Sequence, residues 1–221
     1  MTFSILVQDD DTGALGAAAA TGSLCVGGWV LRGRWGAGLS ASQGAAPSVY
    51  WGEEALDRMQ AGQPAPEVVA SLTGADRGRE WRQMAALDTA GRTGAFTGGE
   101  NSPAMGHHAF ARGIASGNML ASEPVVERLA DGYLSAHGTM AERLLAALRA
   151  AEAAGSDSRG LLSAALLVLC PDAAPLTLRI DHHASDPIGA LEALHRLATK
   201  GDYAAWAAQV PHPADKERGL D

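Results

Sequence analysis

The sequence predicts an α+β fold whose antiparallel sheets carry helices on their outer faces. Three observations lead there. Strand and helix patterns arrive in bunches, in the order strands, two helices, strands, two helices, strands, one helix, whereas a doubly wound parallel sheet alternates them singly. Residues 15–21 are almost all alanine and glycine, so another layer presses closely on the first strands. From Ser163 to Cys170 the chain runs apolar, the pattern of a strand buried on both faces. Two arrangements satisfy these observations. One is a four-layer αββα sandwich, two packed antiparallel sheets flanked by helices, which the small inner side chains favour. The other is a two-layer α+β fold.

Each element has its own signature. Phe3, Ile5 and Val7 alternate with Ser4, Leu6 and Gln8, which gives a two-sided, largely buried first strand. The acidic turn at residues 9–13 leads into the Ala-rich second strand, and residues 29–31 and 35–43 read as one further strand region. The period then changes to helical. Residues 52–61 place Ala55, Leu56 and Met59 on one side, and residues 66–72 have Pro in the first turn and Gly74 beyond the last. Residues 82–88 and 93–97 flank a hairpin turn at residues 89–92, and residues 113–119 form a strand after a turn at Gly106, His107 and His108. Ser122 opens a helix to about Ala136. Thr139 and Glu142 form a capping-box pattern for the next helix, which lies antiparallel to the first and stops at Gly155. Residues 176–181 pair with the buried strand, and Asp186-Pro187 starts a last helix with Ile188, Leu191 and Leu194 inward. One domain spans residues 1–210, followed by a polar, loose tail over residues 211–221.

Composition excludes several function classes. With a net charge of -8 and only Lys200 and Lys216 as lysines, no basic stripe is present to neutralise phosphates, and nucleic acid is not an expected partner. The longest apolar run is far short of the roughly 20 residues that span a bilayer, and no signal peptide precedes the first strand. A cytoplasmic protein without a membrane partner is expected. Cys25 and Cys170 lie far apart in apolar surroundings and read as reduced core thiols. The pairs His107-His108 and His182-His183 would point to opposite strand faces and cannot chelate, so no metal is expected. The Gly27-Gly28 and Gly36-Ala37-Gly38 steps lack dinucleotide-loop spacing and read as close packing, and no G-x-S-x-G elbow occurs. No cofactor is called for.

Thr2 is the residue with the most chemical interest. It is small enough for Met1 to be trimmed, and trimming would place a hydroxyl beside a free α-amine with a pKa of about 7.7 to 8.0, able to act as a base.

A set of ordered motifs carries a resemblance. Met1-Thr2-Phe3-Ser4-Ile5, Asp9 with Thr12-Gly13 and Gly16, Ser42-Gln43, Phe96-Thr97-Gly98, Gly106-His107, Gly117-Asn118-Met119-Leu120, Ala141-Glu142-Arg143-Leu144-Leu145 with Glu152-Ala153, Asp157 with Arg159-Gly160, and Ser163-Ala164-Ala165-Leu166-Leu167-Val168 together resemble the bacterial family called domain of unknown function 1028. The match extends to about Leu197. Ser116 and Leu162 stand where that family often has glutamine, and Ala104-Met105 replaces a Trp-containing step. The family in turn resembles the N-terminal-nucleophile (Ntn) hydrolases, the proteasome-like αββα sandwich in which a first-residue Thr, Ser or Cys attacks an amide.

What the resemblance implies is a hydrolase of a small linear amide, with a small-molecule substrate and a homo-oligomer, a dimer first, as partners. Thr2 would be the nucleophile, and Gln43 or Asn118 would hold the oxyanion. Asp157 and Arg159 would orient the amine and bind an acidic group of the substrate, Arg159 through its planar fork. His107 and Glu152 would also touch substrate. The alternative is a non-catalytic member in which Met1 is retained and the cleft binds a small ligand or supports assembly.

Overall fold

The computed structural model describes residues 2–156 and 160–220. Strand β1 (Thr2–Gln8) turns into β2 (Leu15–Thr21) through a loop closed by Asp9, whose Oδ1 accepts bonds from the backbone N–H and the hydroxyl of Thr12. A single helical turn, α1 (Val26–Trp29), precedes the hairpin β3 (Leu31–Arg34) and β4 (Gly38–Gln43). Helices α2 (Val49–Gln60) and α3 (Ala65–Ala75) lead to β5 (Gln83–Asp88) and β6 (Thr93–Thr97), then to β7 (Ala104–Phe110) and β8 (Gly113–Leu120). Helices α4 (Val125–Ser135) and α5 (Met140–Ala153), strands β9 (Ser163–Leu169) and β10 (Leu176–Ile180), and helices α6 (Pro187–Ala198) and α7 (Gly201–Ala207) complete the chain.

The strands form two antiparallel sheets, one in the order β10-β9-β2-β1-β8-β7 and one in the order β3-β4-β5-β6. Strand alternation sorts the side chains into three cores. Phe3, Ile5 and Val7 face outward from the larger sheet and pack under α4, α5 and α6 with Leu129, Leu144, Leu148 and Leu191. Leu6, Ala17, Ala19 and Ala165 face inward and meet Leu39, Ala41, Ala85 and Leu87 of the smaller sheet. Met84 and Ala86 of that sheet pack outward against Trp51, Leu56 and Val68 of α2 and α3. The molecule is therefore helices, sheet, sheet, helices, and the two-layer arrangement is set aside. The alanines on both inner faces let the sheets approach closely, as their density in the sequence requires.

Local signals act as expected in several places. The Thr139 and Glu142 box is formed in both directions at the start of α5, and Asp186 caps α6 through Gly189. A Cβ on Gly132 would lie 2.6 Å from that of Ala150, so α4 and α5 cross at close range, with Arg143 stacked 4.0 Å over the Tyr133 ring.

Other expectations need correction. The single strand region of residues 29–43 is the helical turn α1 plus a hairpin, because Gly36 at φ 83 supplies a left-handed turn after Arg34. Gly106, His107 and His108 do not form a turn but lie within β7, and the reversal falls instead at Arg112, φ 53. Helix α4 starts at Val125; Ser122 donates to the carbonyl of Ala154 and so ties down the end of α5. Gly74 is inside α3 rather than beyond it. Leu167 is only partly buried, and both cysteines are free and half-buried, Cys170 packing against the core under α4, α5 and α6. Within the tail, residues 212–215 form a bridge of His212 to Asp215, and the Ala214 N–H bonds the Pro171 carbonyl.

Candidate functional site

At one end the inward faces of both sheets change from apolar to polar. On β1 the stripe runs Leu6, Ser4, Thr2; on β8 it runs Ile114, Ser116, Asn118; on β4 and β5 it ends in Gln43 and Gln83, which face each other in register. Every one of these polar residues is buried. Thr2 lies between two partners, opposite Thr21 on β2 and opposite Asn118 on β8. Its Oγ1 is 3.1 Å from the Thr21 Oγ1, where either hydroxyl can donate.

The two glutamines bridge the sheets. Gln43 donates from Nε2 to Gln83 Oε1 at 2.6 Å and, more weakly, to the Thr2 carbonyl at 3.4 Å. Gln83 Nε2 lies 2.8 Å from the Gly117 carbonyl, 2.9 Å from the Gly106 carbonyl and 2.9 Å from Thr97 Oγ1, and with two hydrogens it can serve two of the three at once. These carbonyls belong to the larger sheet at the point where the register of β7 on β8 slips, between Ala104 and Gly106. The irregularity in one ladder is thus closed by a side chain from the other sheet.

Several atoms beside this bridge have no partner among the described residues. Asn118 is fully buried with neither Nδ2 nor Oδ1 bonded, and Ser4 Oγ, Ser116 Oγ and Gln43 Oε1 are in the same condition. Ser4 and Ser116 are directly opposite in the ladder. A polar seam with free donors and acceptors therefore runs from Thr2 into the layer between the sheets. Above it opens a cavity of about 650 Å³, with Thr2, Thr21, Ser23 and Gln43 among its polar lining and Leu24, Val26, Trp29 and Met119 among its apolar walls.

The fold brings Thr2, Gln43 and Asn118 together and leaves other candidates apart. His107 stands on the exposed edge strand β7, outside the cavity wall, with its ring 3.2 Å from Thr97 Oγ1. The part of that ring that packs against protein loses solvation, which lowers its pKa. It is linked to the site through Thr97 and Gln83 and lies opposite Ser116 in the ladder. Glu152, on α5, is bound by Arg149 at 2.7 Å in a cluster completed by Asp186 and Glu192, and does not line the cavity. The bonds to Glu192, then to Asp186 and Glu152, hold the Arg149 guanidinium protonated more firmly than usual. Asp157 and Arg159 lie outside the described residues.

Sequence reasoning missed Gln83, Thr21, Ser4 and Ser116. The available signal was phase: each is a polar residue on the inward stripe of a strand whose inward residues away from this end are apolar. Among the described residues no group of three His, Cys, Asp or Glu side chains could hold a metal ion, and no helix is long and apolar enough to cross a membrane.

Fold and site together define an antiparallel αββα sandwich with a mostly apolar cavity at the ends of its central strands. The chain belongs to the family of unknown function DUF1028, whose model matches residues 2–191. A crystal structure of a protein of the same family from Silicibacter pomeroyi is 57% identical and superposes with a TM-score of 0.96, covering 100% of this chain and 96% of the other. No curated protein matches the chain.

Proposed function

We propose that the protein hydrolyses a linear amide bond, with Thr2 as an N-terminal nucleophile exposed by removal of Met1. The observation that supports this most is Asn118, wholly buried opposite Thr2 with its amide unpaired on both sides. An unbonded buried polar group costs about 1 to 3 kcal/mol, so a fold that keeps one here has a use for it.

In the first half-reaction the Thr2 α-amine takes the proton of Oγ1 as the oxygen bonds to the amide carbon. The Thr21 hydroxyl helps to orient Oγ1. The carbonyl π electrons move onto oxygen, where we assign Gln43 Nε2, released from its weak 3.4 Å contact with the Thr2 carbonyl, to meet the negative charge, and Asn118, which lies opposite Thr2 but does not line the cavity, to accept from the ammonium through Oδ1. The ammonium then protonates the departing nitrogen as the C–N bond breaks, leaving an ester on Thr2. Water attacks that ester with the amine again as base, and the acid is released. The family's resemblance to Ntn hydrolases points the same way.

Intact mass of the untagged protein, followed by turnover of a panel of small amides, tests the reading. Loss of Met1 is expected, with activity rising through pH about 7.7 to 8.0 as the amine deprotonates. Thr2→Ser should retain turnover and Thr2→Ala should lose it by on the order of 10²-fold to 10⁴-fold or more, while the lost hydroxyl pair costs about 1 kcal/mol of stability. Full activity in protein that retains Met1 would rule out Thr2 as the nucleophile and move the chemistry to another residue of the cleft, whereas retained Met1 with no turnover would leave the cavity as a ligand-binding site.

A further inference from the structure

We infer that the cavity above Thr2 receives an uncharged, apolar acyl group, so that the substrate is the amide of a hydrophobic carboxylic acid; this builds on the hydrolase reading of Thr2. The cavity has a divided lining. Thr2, Thr21, Ser23, Gln43 and Ser102 supply its polar groups, and Leu24, Val26, Trp29, Val30, Pro103 and Met119 most of its apolar wall. Leu24 and Trp29 are each 54% exposed, an unusual condition for two large apolar side chains facing one space. A ligand that covered both would remove that surface from water.

The wall is also held in place before any ligand arrives. Ser163 Oγ donates to the Ser23 carbonyl and accepts from the Val26 N–H, and the Cys25 N–H bonds the Asp181 carbonyl. These bonds fix the segment that carries Leu24 and the turn that carries Trp29 against β9 and the end of β10. A rigid apolar wall loses little entropy on binding. At about 650 Å³ the space is in the range of sites for drug-sized ligands and far exceeds the needs of an acetyl group. The acyl side is assigned because the acyl group stays bonded to Thr2 through both half-reactions, whereas the amine departs after the first.

The test separates binding from turnover. Calorimetry on the Thr2→Ala protein with butanamide, hexanamide and octanamide should show affinity rising about fourfold per methylene, with the anionic succinamate weaker than butanamide. Trp29→Ala in the same background should weaken octanamide by about tenfold, Leu24→Ala should weaken it less, and Trp29→Phe should restore most of the loss; circular dichroism checks that each variant is folded. A flat chain-length series, tighter binding of succinamate, equal affinity for N-octylacetamide, or a folded Trp29→Ala protein with unchanged affinity would overturn the inference. If octanamide binds as expected but Met1-free wild-type protein never cleaves it, the hydrolase reading fails and the apolar site stands. If amides are cleaved without regard to chain length, the reverse holds.

Discussion

Gln83→Leu removes the side chain that joins the two sheets at the polar end, and its cost can be worked out bond by bond. The amide holds the Gly106 and Gly117 carbonyls and receives a bond from Gln43 Nε2. Thr97 Oγ1 would still have His107. Three buried groups therefore lose a partner, at about 1 to 3 kcal/mol each. Leucine also removes the desolvated amide itself, which places the net in the lower half of that range, about 3 to 5 kcal/mol. For a chain of this length the melting temperature should fall by roughly 6 to 20 °C. Urea unfolding should show an earlier midpoint with an unchanged slope, because the surface exposed on unfolding stays the same. A double-mutant cycle with Gln43→Leu should be non-additive by about 0.5 to 3 kcal/mol, since the two share one bond. A loss below about 1 kcal/mol, or an additive cycle, would refute the idea that Gln83 ties the sheets together.

The remaining predictions use other parts of the molecule. Asn118→Leu should leave stability unchanged or raise it by about 1 to 2 kcal/mol, because it removes two unpaired buried atoms, and should abolish amide turnover; a marked loss of thermal stability would mean that Asn118 is paired in solution. Thr139→Ala should cost about 1 kcal/mol by opening the capping box of α5, measured as a shift in the denaturation midpoint. The pH dependence follows from two groups with depressed values. Asp9 is lowered chiefly by the Thr12 hydroxyl, so its contribution is present above the ordinary carboxylate value of 3.8 and disappears as pH falls through the folded-state value. Thr12→Val should destabilise at neutral pH and have no effect in strong acid. His195 is lowered by burial of its ring, so the folded protein resists its protonation and stability falls as pH drops below 6.5; a His195→Gln chain that declines equally over that window would contradict this.

Much of the fold was legible because the relevant signals are local or periodic. The alternation of Phe3, Ile5 and Val7 and the alanines of β2 and β9 report the layers directly, and Thr139 and Asp186 mark helix starts by their own side-chain bonds. Strand β7 was not legible because it is an exposed edge: Met105, His107, His108 and Ala109 face solvent, so no apolar stripe remains to be seen, and its Gly-His-His step looks like a turn. Helical turn α1 was hidden for a related reason. Its Gly27 and Gly28 are unfavourable in a helix by propensity but necessary in space, since a Cβ on Gly27 would come within 2.7 Å of the Ala165 Cβ.

The site was legible only in part, and its geometry explains which part. Thr2 draws attention through chemistry that belongs to one residue, but Gln83 has no such mark, and its role arises from a partner 40 positions away on β4 and two carbonyls on other strands. The same inward phase that makes Ala85 and Leu87 core residues makes Gln83 a buried polar one. An apolar layer between two sheets has no structural need to end in Asn118, Ser4 and Ser116, because leucine or alanine at those places would close it without unpaired atoms. These exceptions gather around Thr2: Asn118 is opposite it, Gln43 reaches its carbonyl, and Ser4, Ser116 and Gln83 are each one step further on. That concentration, more than any one residue type, is the physical ground for placing chemistry at this end of the sandwich and not at the Arg149 cluster, where every carboxylate is already paired.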